Sequence, residues 1–430
     1  MSFSRTARTA SALAAFAALA ATAGCGSGSG GSGSGSGKTE ITWSTWGSPE
    51  ELERFKEFDK DFQKRHPDIK VTLQAVPSYG DYHAKLLTQL SSKTAPDVFY
   101  VGDDFIGKFV SAGVVAPLDA RMAAPDSKAK PADFVEGLYG GAKKGDRIFG
   151  IPNDANPEVL WYDKQALKDA GITDDPATLH AQGTWTMSTF LAMNAKLKAA
   201  DKAGSIFYNW YGSTYSMING SGGKVYDGGK FVATTDPKSR QALKTLAEGY
   251  QDKTFLVADN LPKGNGVEVQ FIKHKVGFVA SGRYMIDTVM KGDKDNYDIV
   301  PFPSETGAPA PSAVATSFLA LNKDSKKADA AWTFLSEFVS KEGQTLRLKG
   351  GGNAVPSIKG AESVVMEGYP AHAQTFVDTR DKGYANYPQE AAVPDLTANI
   401  NDSLMKLWTG KVGFDQEMTD LNALVSGKLG

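Results

Sequence analysis

From Lys38 onward, short β-branched or alternating runs trade places with stretches in which apolar residues recur every three or four positions. Glu40-Ile-Thr-Trp-Ser-Thr-Trp46 is β-branched and aromatic and predicts a first strand. Ser48-Pro49-Glu50-Glu51 opens a helix, with Ser48 as N-cap, Pro49 at the first helical position and Glu51 closing a capping box. Leu52, Phe55, Phe58 and Phe62 then follow at helical spacing, which buries one face, and the helix stops before Pro67. Ile69, Val71, Leu73 and Ala75 alternate as a second strand, residues 82–90 read as a helix, and residues 97–101 form a third strand. A helix from about Phe105 ends at Gly113. Three strand-helix alternations with crossover-length connections predict an α/β lobe whose parallel sheet is covered on both faces.

A second α/β region begins near Ile148. Residues 159–162 predict a strand, residues 164–170 a short helix closed by Gly171, and Thr186 caps a helix reaching about Lys202. Asp236-Pro237 opens another helix towards Tyr250, and residues 276–280, 298–302 and 317–321 predict further strands. Amphipathic helical stretches follow at 328–346, 396–409 and 414–428, and no internal repeat is visible. The segment from Lys38 to Gly430 is long enough for two domains, and 41% hydrophobic residues over the chain supply a substantial core.

The N-terminus reads differently. Arg5 and Arg8 precede an uncharged, Ala-rich stretch from Ser11 to Ala23, so residues 1–24 read as a signal peptide. The stretch falls short of the roughly 20 apolar residues a spanning helix needs. Cys25 is the only cysteine, so no intrachain disulfide forms. Thr22-Ala-Gly-Cys25 resembles the lipobox of bacterial lipoproteins, with Thr22 where Leu is usual, and the resemblance implies that Cys25 is lipidated and anchors the protein to the outer face of the cell membrane. Ordinary cleavage after Ala21-Thr22-Ala23, giving a soluble secreted protein, is the alternative. Gly26 to Gly37 contains only Gly and Ser, a coil unable to bury apolar area and suited to a tether.

Without residues 1–24 the chain has 45 basic against 49 acidic residues, a net charge of −4, which gives no support to nucleic-acid binding. The five histidines, at 66, 83, 180, 274 and 372, have no metal-ligand spacing, and no nucleophile elbow or phosphate-binding loop occurs. No metal, cofactor or catalytic residue is expected. A glycosidase needs only two carboxylates and stays open as a rival class.

Several segments resemble, in order, the family 1 extracellular solute-binding proteins of bacterial ABC importers. They are Ile41-Thr-Trp-Ser-Thr-Trp46, Phe62-Gln-Lys-Arg-His-Pro-Asp-Ile-Lys-Val71, Ala95-Pro-Asp-Val-Phe99 and Gly113-Val-Val-Ala-Pro-Leu-Asp119. Phe149-Gly-Ile-Pro152, Val159-Leu-Trp-Tyr-Asp-Lys164, Gly183-Thr-Trp185, Val276-Gly-Phe-Val-Ala-Ser-Gly282 and Ala330-Ala-Trp-Thr-Phe-Leu335 continue the series. The resemblance implies a two-lobed, type II-like periplasmic-binding-protein fold, each lobe a mainly parallel sheet flanked by helices, with a ligand cleft between the lobes. It puts residues 38–152 with 278–338 in the N-terminal lobe and 153–277 with 339–430 in the C-terminal lobe, with crossings near 150–156, 276–282 and 336–342. It implies a monomer that captures a mono- or oligosaccharide and hands it to permease subunits driven by a separate ATPase. A non-sugar solute, such as an organic anion or a polyamine, is the alternative.

Ligands in open α/β sheets sit beyond the carboxyl ends of strands, which ranks the candidates. Trp46 either stacks on a sugar face or packs in the core, and core is favoured for Trp43. Asp103 and Asp104 follow the third strand; the resemblance puts Asp104 on a position that binds sugar hydroxyls, and helix capping is the other role. Asn156, with Asp154 nearby, lies at the first crossing and is either a polar ligand residue or hinge turn. Ile206-Phe-Tyr-Asn-Trp-Tyr-Gly212 resembles the family's aromatic cleft segment, making Trp210 and Tyr211 a stacking pair, with a buried strand as the other reading. Gly282 allows close approach, Tyr284 supplies a ring, and Arg283, if it faces the cleft, pairs with an anionic group. Gly350-Gly-Gly-Asn353 is a loop whose N–H groups, at Gly352 and Asn353 above all, can meet ligand oxygens or merely turn the chain. Tyr384 and Tyr387 are further cleft candidates.

Overall fold

The computed structural model describes residues 37–366, 368–391 and 393–429. The leader, Cys25 and all of the tether except Gly37 lie outside the described residues. Strands β1 (Thr39–Thr45), β2 (Ile69–Ala75) and β3 (Val98–Gly102) fall where the sequence puts them. Helices α1 (Pro49–Arg65), α2 (Tyr79–Ser91) and α3 (Asp103–Ala112) connect and follow them. Ser48 Oγ accepts the Glu51 N–H at 3.2 Å, which fixes the start of α1. The carboxylate of Glu51 turns back over Gly47 and against the Ser48 backbone N–H, on the side where the expected box needs it. Helix α3 ends because Gly113 takes φ +65°, a left-handed turn that costs glycine little.

The remaining sheet strands are β4 (Ile151–Pro157), β5 (Val159–Asp163), β6 (Ala203–Phe207), β7 (Phe255–Val257), β8 (Val276–Ser281), β9 (Tyr297–Val300) and β10 (Val314–Leu321). The first sheet has the order β2-β1-β3-β10-β4 and the second β7-β6-β8-β5-β9. In the first, only β10 runs against its neighbours; in the second, only β5 does. The mainly parallel character inferred from the alternating pattern therefore holds, and each sheet admits one opposed strand. In both sheets the opposed strand, β10 in the first and β5 in the second, is the one that enters from the other sheet, and it lies second from one edge.

Chain crossings follow from these pairings. Pro157 ends β4 in the first sheet and Val159 starts β5 in the second, so Glu158 is the single residue between them. The return falls between Val300 and Val314, later than the expected 276–282, because β8 and β9 both pair inside the second sheet. The stretch expected as one helix at 328–346 is two, α7 (Ala328–Val339) and α8 (Lys341–Leu348), separated where Ser340 caps α8 by accepting the Gly343 N–H at 3.1 Å.

Trp43 centres the first core. Its ring, fully buried, meets Phe55 at 5.5 Å, Phe334 at 5.5 Å and Phe338 at 5.0 Å, and its Nε1 donates to Asp59 at 3.0 Å. Burying such a side chain contributes about 1.5–3 kcal/mol, which is why core packing wins for Trp43. A second core gathers Phe190, Phe207, Phe278 and Tyr215, capped by helices α9 (Leu396–Trp408) and α10 (Phe414–Leu429). A third, on the other face of the second sheet, packs Trp161, Phe271, Tyr297 and Phe376.

Candidate functional site

The carboxyl end of β1 delivers Trp46 to the edge of the first core. It is half-buried, edge-on to Tyr79 at 4.9 Å and to Tyr100 at 5.2 Å, and tilted against His83 at 5.1 Å. Asp103 and Asp104 occupy the first turn of α3, and the N-cap is Gly102, so neither carboxylate caps the helix. Asp103 accepts the Asp104 N–H at 3.0 Å and the Thr316 N–H at 3.4 Å, and Asp104 accepts the Tyr79 hydroxyl. Burial, reinforced by the charge of Asp104, pushes the Asp103 carboxyl well above the usual range. Burial lifts Asp104 to about 6 against the hydrogen bond from Tyr79. Tyr79 and Asp104 are open to solvent and yet surrounded by protein, as the wall of a cleft must be.

The crossing strand brings the next candidates together. A side-chain carbon on Gly282 would sit 2.7 Å from Asn156 Cβ and 2.9 Å from Tyr284 Cε1, so glycine here serves close approach. Trp161 Nε1 donates to the Gly282 carbonyl at 3.0 Å and fixes this turn from below. Tyr284 is 42% exposed, and Asn156 Oδ1 is buried without a partner. Gly282→Ala is expected to displace Tyr284 and Asn156 and weaken ligand binding about tenfold with an unchanged far-ultraviolet spectrum, a difference calorimetric titration reads directly. Asp154 turns away from this group. It accepts from Ser317 Oγ at 2.6 Å and Asn153 Nδ2 at 2.8 Å and belongs to a buried network beneath the crossing.

On the second lobe, β6 ends and Trp210 starts helix α4′ (Tyr211–Gly220), so the aromatic segment is strand, turn and helix in succession. Trp210 is half-buried and lies over Gly212. Tyr211 is fully buried with its hydroxyl on the Ala385 carbonyl at 3.1 Å, so its ring is held in the interior rather than presented as a stacking face. The rings of Tyr384 and Tyr387 pack at 4.7 Å, tilted by 33°, and Tyr384 accepts from Asn219 Nδ2 at 3.2 Å. Both are half-buried.

Arg283 departs from its expected role. It is 1% exposed, its Nε donates to the Gly352 carbonyl at 2.8 Å, and its guanidinium lies 5.6 Å from the Phe376 ring. Arg54 donates to the neighbouring Gly351 carbonyl at 3.2 Å. Two guanidinium groups thus pin the glycine loop. The Gly352 N–H is already engaged by the Leu348 carbonyl at 3.0 Å, which removes it as a ligand donor, and Asn353 is buried beside Glu51.

Three acidic residues that were not candidate ligand residues are pushed up by burial near these groups. Glu158, the crossing residue, is 4% exposed; its Oε1 accepts from Ser213 Oγ and its Oε2 has no partner. Burial raises it to about 8 against that hydrogen bond. Glu390 accepts at Oε1 from Tyr215 at 2.6 Å and Tyr226 at 2.8 Å, leaves Oε2 unpartnered, and is raised to about 7 by burial. Glu51 is raised to about 7 by burial and then by the charge of Asp154. No local pattern marks Glu158 or Glu390, since their partners lie in helix α4′ and strand segments far along the chain.

A cavity of about 560 Å³ is lined by Gly107, Gly140 and Lys143 on one side and Tyr384, Asn386 and Tyr387 on the other. The segment carrying the latter approaches so closely that Gly107 faces the Ala391 carbonyl with no room for a side chain. Among the described residues no group of His, Cys, Asp and Glu is arranged to hold a metal ion, and no helix is long and apolar enough to cross a membrane.

The model of the bacterial extracellular solute-binding protein family matches residues 46–345. The chain belongs to this family. A diacetylchitobiose-binding protein of Streptomyces coelicolor, DasA, is 26% identical over 370 residues, covering 82% of this chain and 81% of the relative. A putative binding protein of Brucella abortus is 28% identical over 123 residues, so the chain spans only 29% of that relative's length. Among solved structures, an ABC substrate-binding protein of Listeria monocytogenes in complex with cycloalternan superposes with TM-score 0.78 at 20% identity, covering 91% of this chain and 99% of that one. The GacH receptor of Streptomyces glaucescens, solved with acarbose, gives TM-score 0.77 at 19% identity, with 91% and 98% covered. These solute-binding relatives share the two-lobed fold with a cleft between α/β halves.

Proposed function

We propose that the protein captures a mono- or oligosaccharide reversibly between its lobes and delivers it unchanged to the membrane subunits of an ABC importer driven by a separate ATPase. The observation that carries this reading is the pairing of open rings with unanswered hydrogen-bonding atoms. Trp46, Trp210, Tyr284 and Tyr384 offer partly exposed aromatic surface, while Asn156 Oδ1, Glu158 Oε2 and Glu390 Oε2 are buried without partners. Buried polar atoms are normally satisfied, and sugar hydroxyls donate where these atoms accept while sugar C–H faces cover the rings. A ligand touching both lobes favours the closed form, which a permease can distinguish from the open one. The relatives named for diacetylchitobiose, cycloalternan and acarbose support a carbohydrate. An organic anion is disfavoured because Arg54 and Arg283 are engaged by backbone carbonyls.

The lobes in this reading comprise residues 38–157 with 314–348, and 159–300 with the C-terminal helices. Export through the leader and lipidation at Cys25 would hold the domain on the outer face of the membrane by its Gly/Ser tether, as a monomer. A thermal-shift screen against a carbohydrate panel tests the function. A true ligand at a hundred times its dissociation constant adds about 2.7 kcal/mol of stability. Absence of any shift across mono- and oligosaccharides, or appearance of a hydrolysed product, overturns the proposal. Trp210→Ala is expected to weaken binding about tenfold or more without lowering the melting temperature of the empty protein; unchanged affinity removes that ring from the site.

A further inference from the structure

We infer that the solute carries a protonated amine, which sits against Glu158 at the crossing between the lobes. The inference rests on the saccharide-binding reading and narrows it to an amine-bearing sugar.

Four carboxylates converge here. Asp103 and Asp104 lie on the first lobe, Glu158 at the crossing and Glu390 on the second lobe. Their proximity shows in the tyrosines between them: after burial, the charges of Asp103, Glu390 and Asp104 act on Tyr211, and those of Glu390 and Glu158 act on Tyr384. Among the described residues, none of the four has a Lys, Arg or His within ion-pair distance. Some other buried carboxylates of this protein are answered by cations, although among the described residues Asp59, Asp154 and Glu417 are not. Glu337 has Arg65, His66 and Lys128; Asp163 has His274; Asp298 has His372. The cleft carboxylates have only hydroxyls and backbone N–H groups.

Burial raises these carboxyls in the empty protein, and a cation entering beside them favours their charged form and pairs with it. Glu158 and Glu390 each keep one oxygen without a partner while 4% and 1% exposed, so the missing donor is not supplied by the fold. Arg283, Arg347, Lys143 and Lys164, which pairs with Asp298, have other partners. Arg283 is directed to Gly352, Tyr369 and the Phe376 ring; its unpartnered Nη2 lies in that buried setting. Arg347 is directed to Asn153 and packs 4.0 Å from the Phe338 ring, and Lys143 is paired with Glu136. Tyr284 and Tyr384 both lie near enough to feel the Glu158 charge. A carboxylate flanked by aromatic rings suits an ammonium, which gains from the negative charge and from the ring faces together.

Calorimetric titration with three disaccharides matched in shape tests this: chitobiose with free amines, its diacetylated form, and cellobiose, with spermidine as an amine lacking the sugar. Chitobiose is expected to bind about tenfold or more tighter than either neutral disaccharide. That preference, a ratio taken on one protein, is expected to fall at least about fivefold in Glu158→Gln. A loss shared equally by charged and neutral ligands, leaving the ratio intact, overturns the assignment to Glu158. Neutral disaccharides binding as tightly as chitobiose overturn the amine and leave the saccharide reading standing. Binding of spermidine alone keeps the amine and overturns the saccharide. Failure of all four at millimolar concentration counts against the inference, and the carbohydrate panel then decides the saccharide reading separately.

Discussion

Replacing Glu158 by glutamine is expected to make the empty protein more stable at neutral and alkaline pH while weakening its hold on ligand. The carboxyl is 4% exposed and burial lifts it from 4.5 to about 8. A raised carboxyl means that the folded state keeps its proton over a range in which the unfolded chain has lost it. Stability from this group is therefore complete below pH 4.5, declines as the pH rises, and is lost once the pH passes about 8. The slope is about 1.4 kcal/mol per pH unit while the two states differ by a full proton, a total on the order of 3–5 kcal/mol. Glutamine cannot ionise and can still accept from Ser213, so the variant escapes the decline. Its melting temperature should match that of the parent below pH 4.5 and exceed it by several degrees above pH 8. Parallel melting profiles across that interval would show that Glu158 titrates in its ordinary range and is not desolvated.

The same substitution separates stability from function. A site that leaves carboxylate oxygens buried and unpaired is destabilised for the sake of a ligand that completes it, and removal of the charge relieves the fold and impairs the site together. A residue with a purely structural part would lose stability on replacement. The opposite sign expected for Glu158→Gln, when joined by a loss of affinity, would mark it as part of the binding surface.

The elements were legible because their signals are local. Ser48, Thr186 and Asp236 each accept the N–H three residues on, and each was visible as a polar residue before a helical run. Gly113 stopped α3 by the conformation only glycine adopts readily. Trp46, Asp104, Asn156 and Gly282 were legible as candidates because they follow or end strands, and the carboxyl ends of strands are where an α/β fold gathers its ligand groups. What escaped depends on distance along the chain. Glu158 looks like any acid ahead of a strand until Ser213 and Ala313 close round it, and Glu390 needs Tyr215 and Tyr226 to become a buried group. Arg283 misled because it stands between two candidates, Gly282 and Tyr284, while its own side chain turns to Gly352. The late return between the sheets escaped for a similar reason, since nothing in β9 announces which sheet it joins.

Trp161→Ala is expected to destabilise the protein by about 3–5 kcal/mol, the cost of emptying a core site that held an indole. The ring is fully buried, 5.9 Å from Phe376 and 6.3 Å from Tyr369, and it belongs to β5, the one strand that opposes its neighbours in the second sheet. The indole also does something a hydrocarbon cannot: its Nε1 holds the Gly282 carbonyl at 3.0 Å, directly beneath the turn that brings Asn156 and Tyr284 together. Trp161→Phe keeps most of the packing and removes that bond, so it should cost about 1–3 kcal/mol of stability, with the carbonyl left unanswered in the interior. The two variants divide the residue's parts. If the hydrogen bond sets the turn, Trp161→Phe weakens ligand binding in the manner of Gly282→Ala, and combining it with Gly282→Ala adds less than the sum of the single losses, because both act through one turn. Additive losses, or full affinity in Trp161→Phe, would reduce Trp161 to a core residue and leave the turn to be held by the backbone alone.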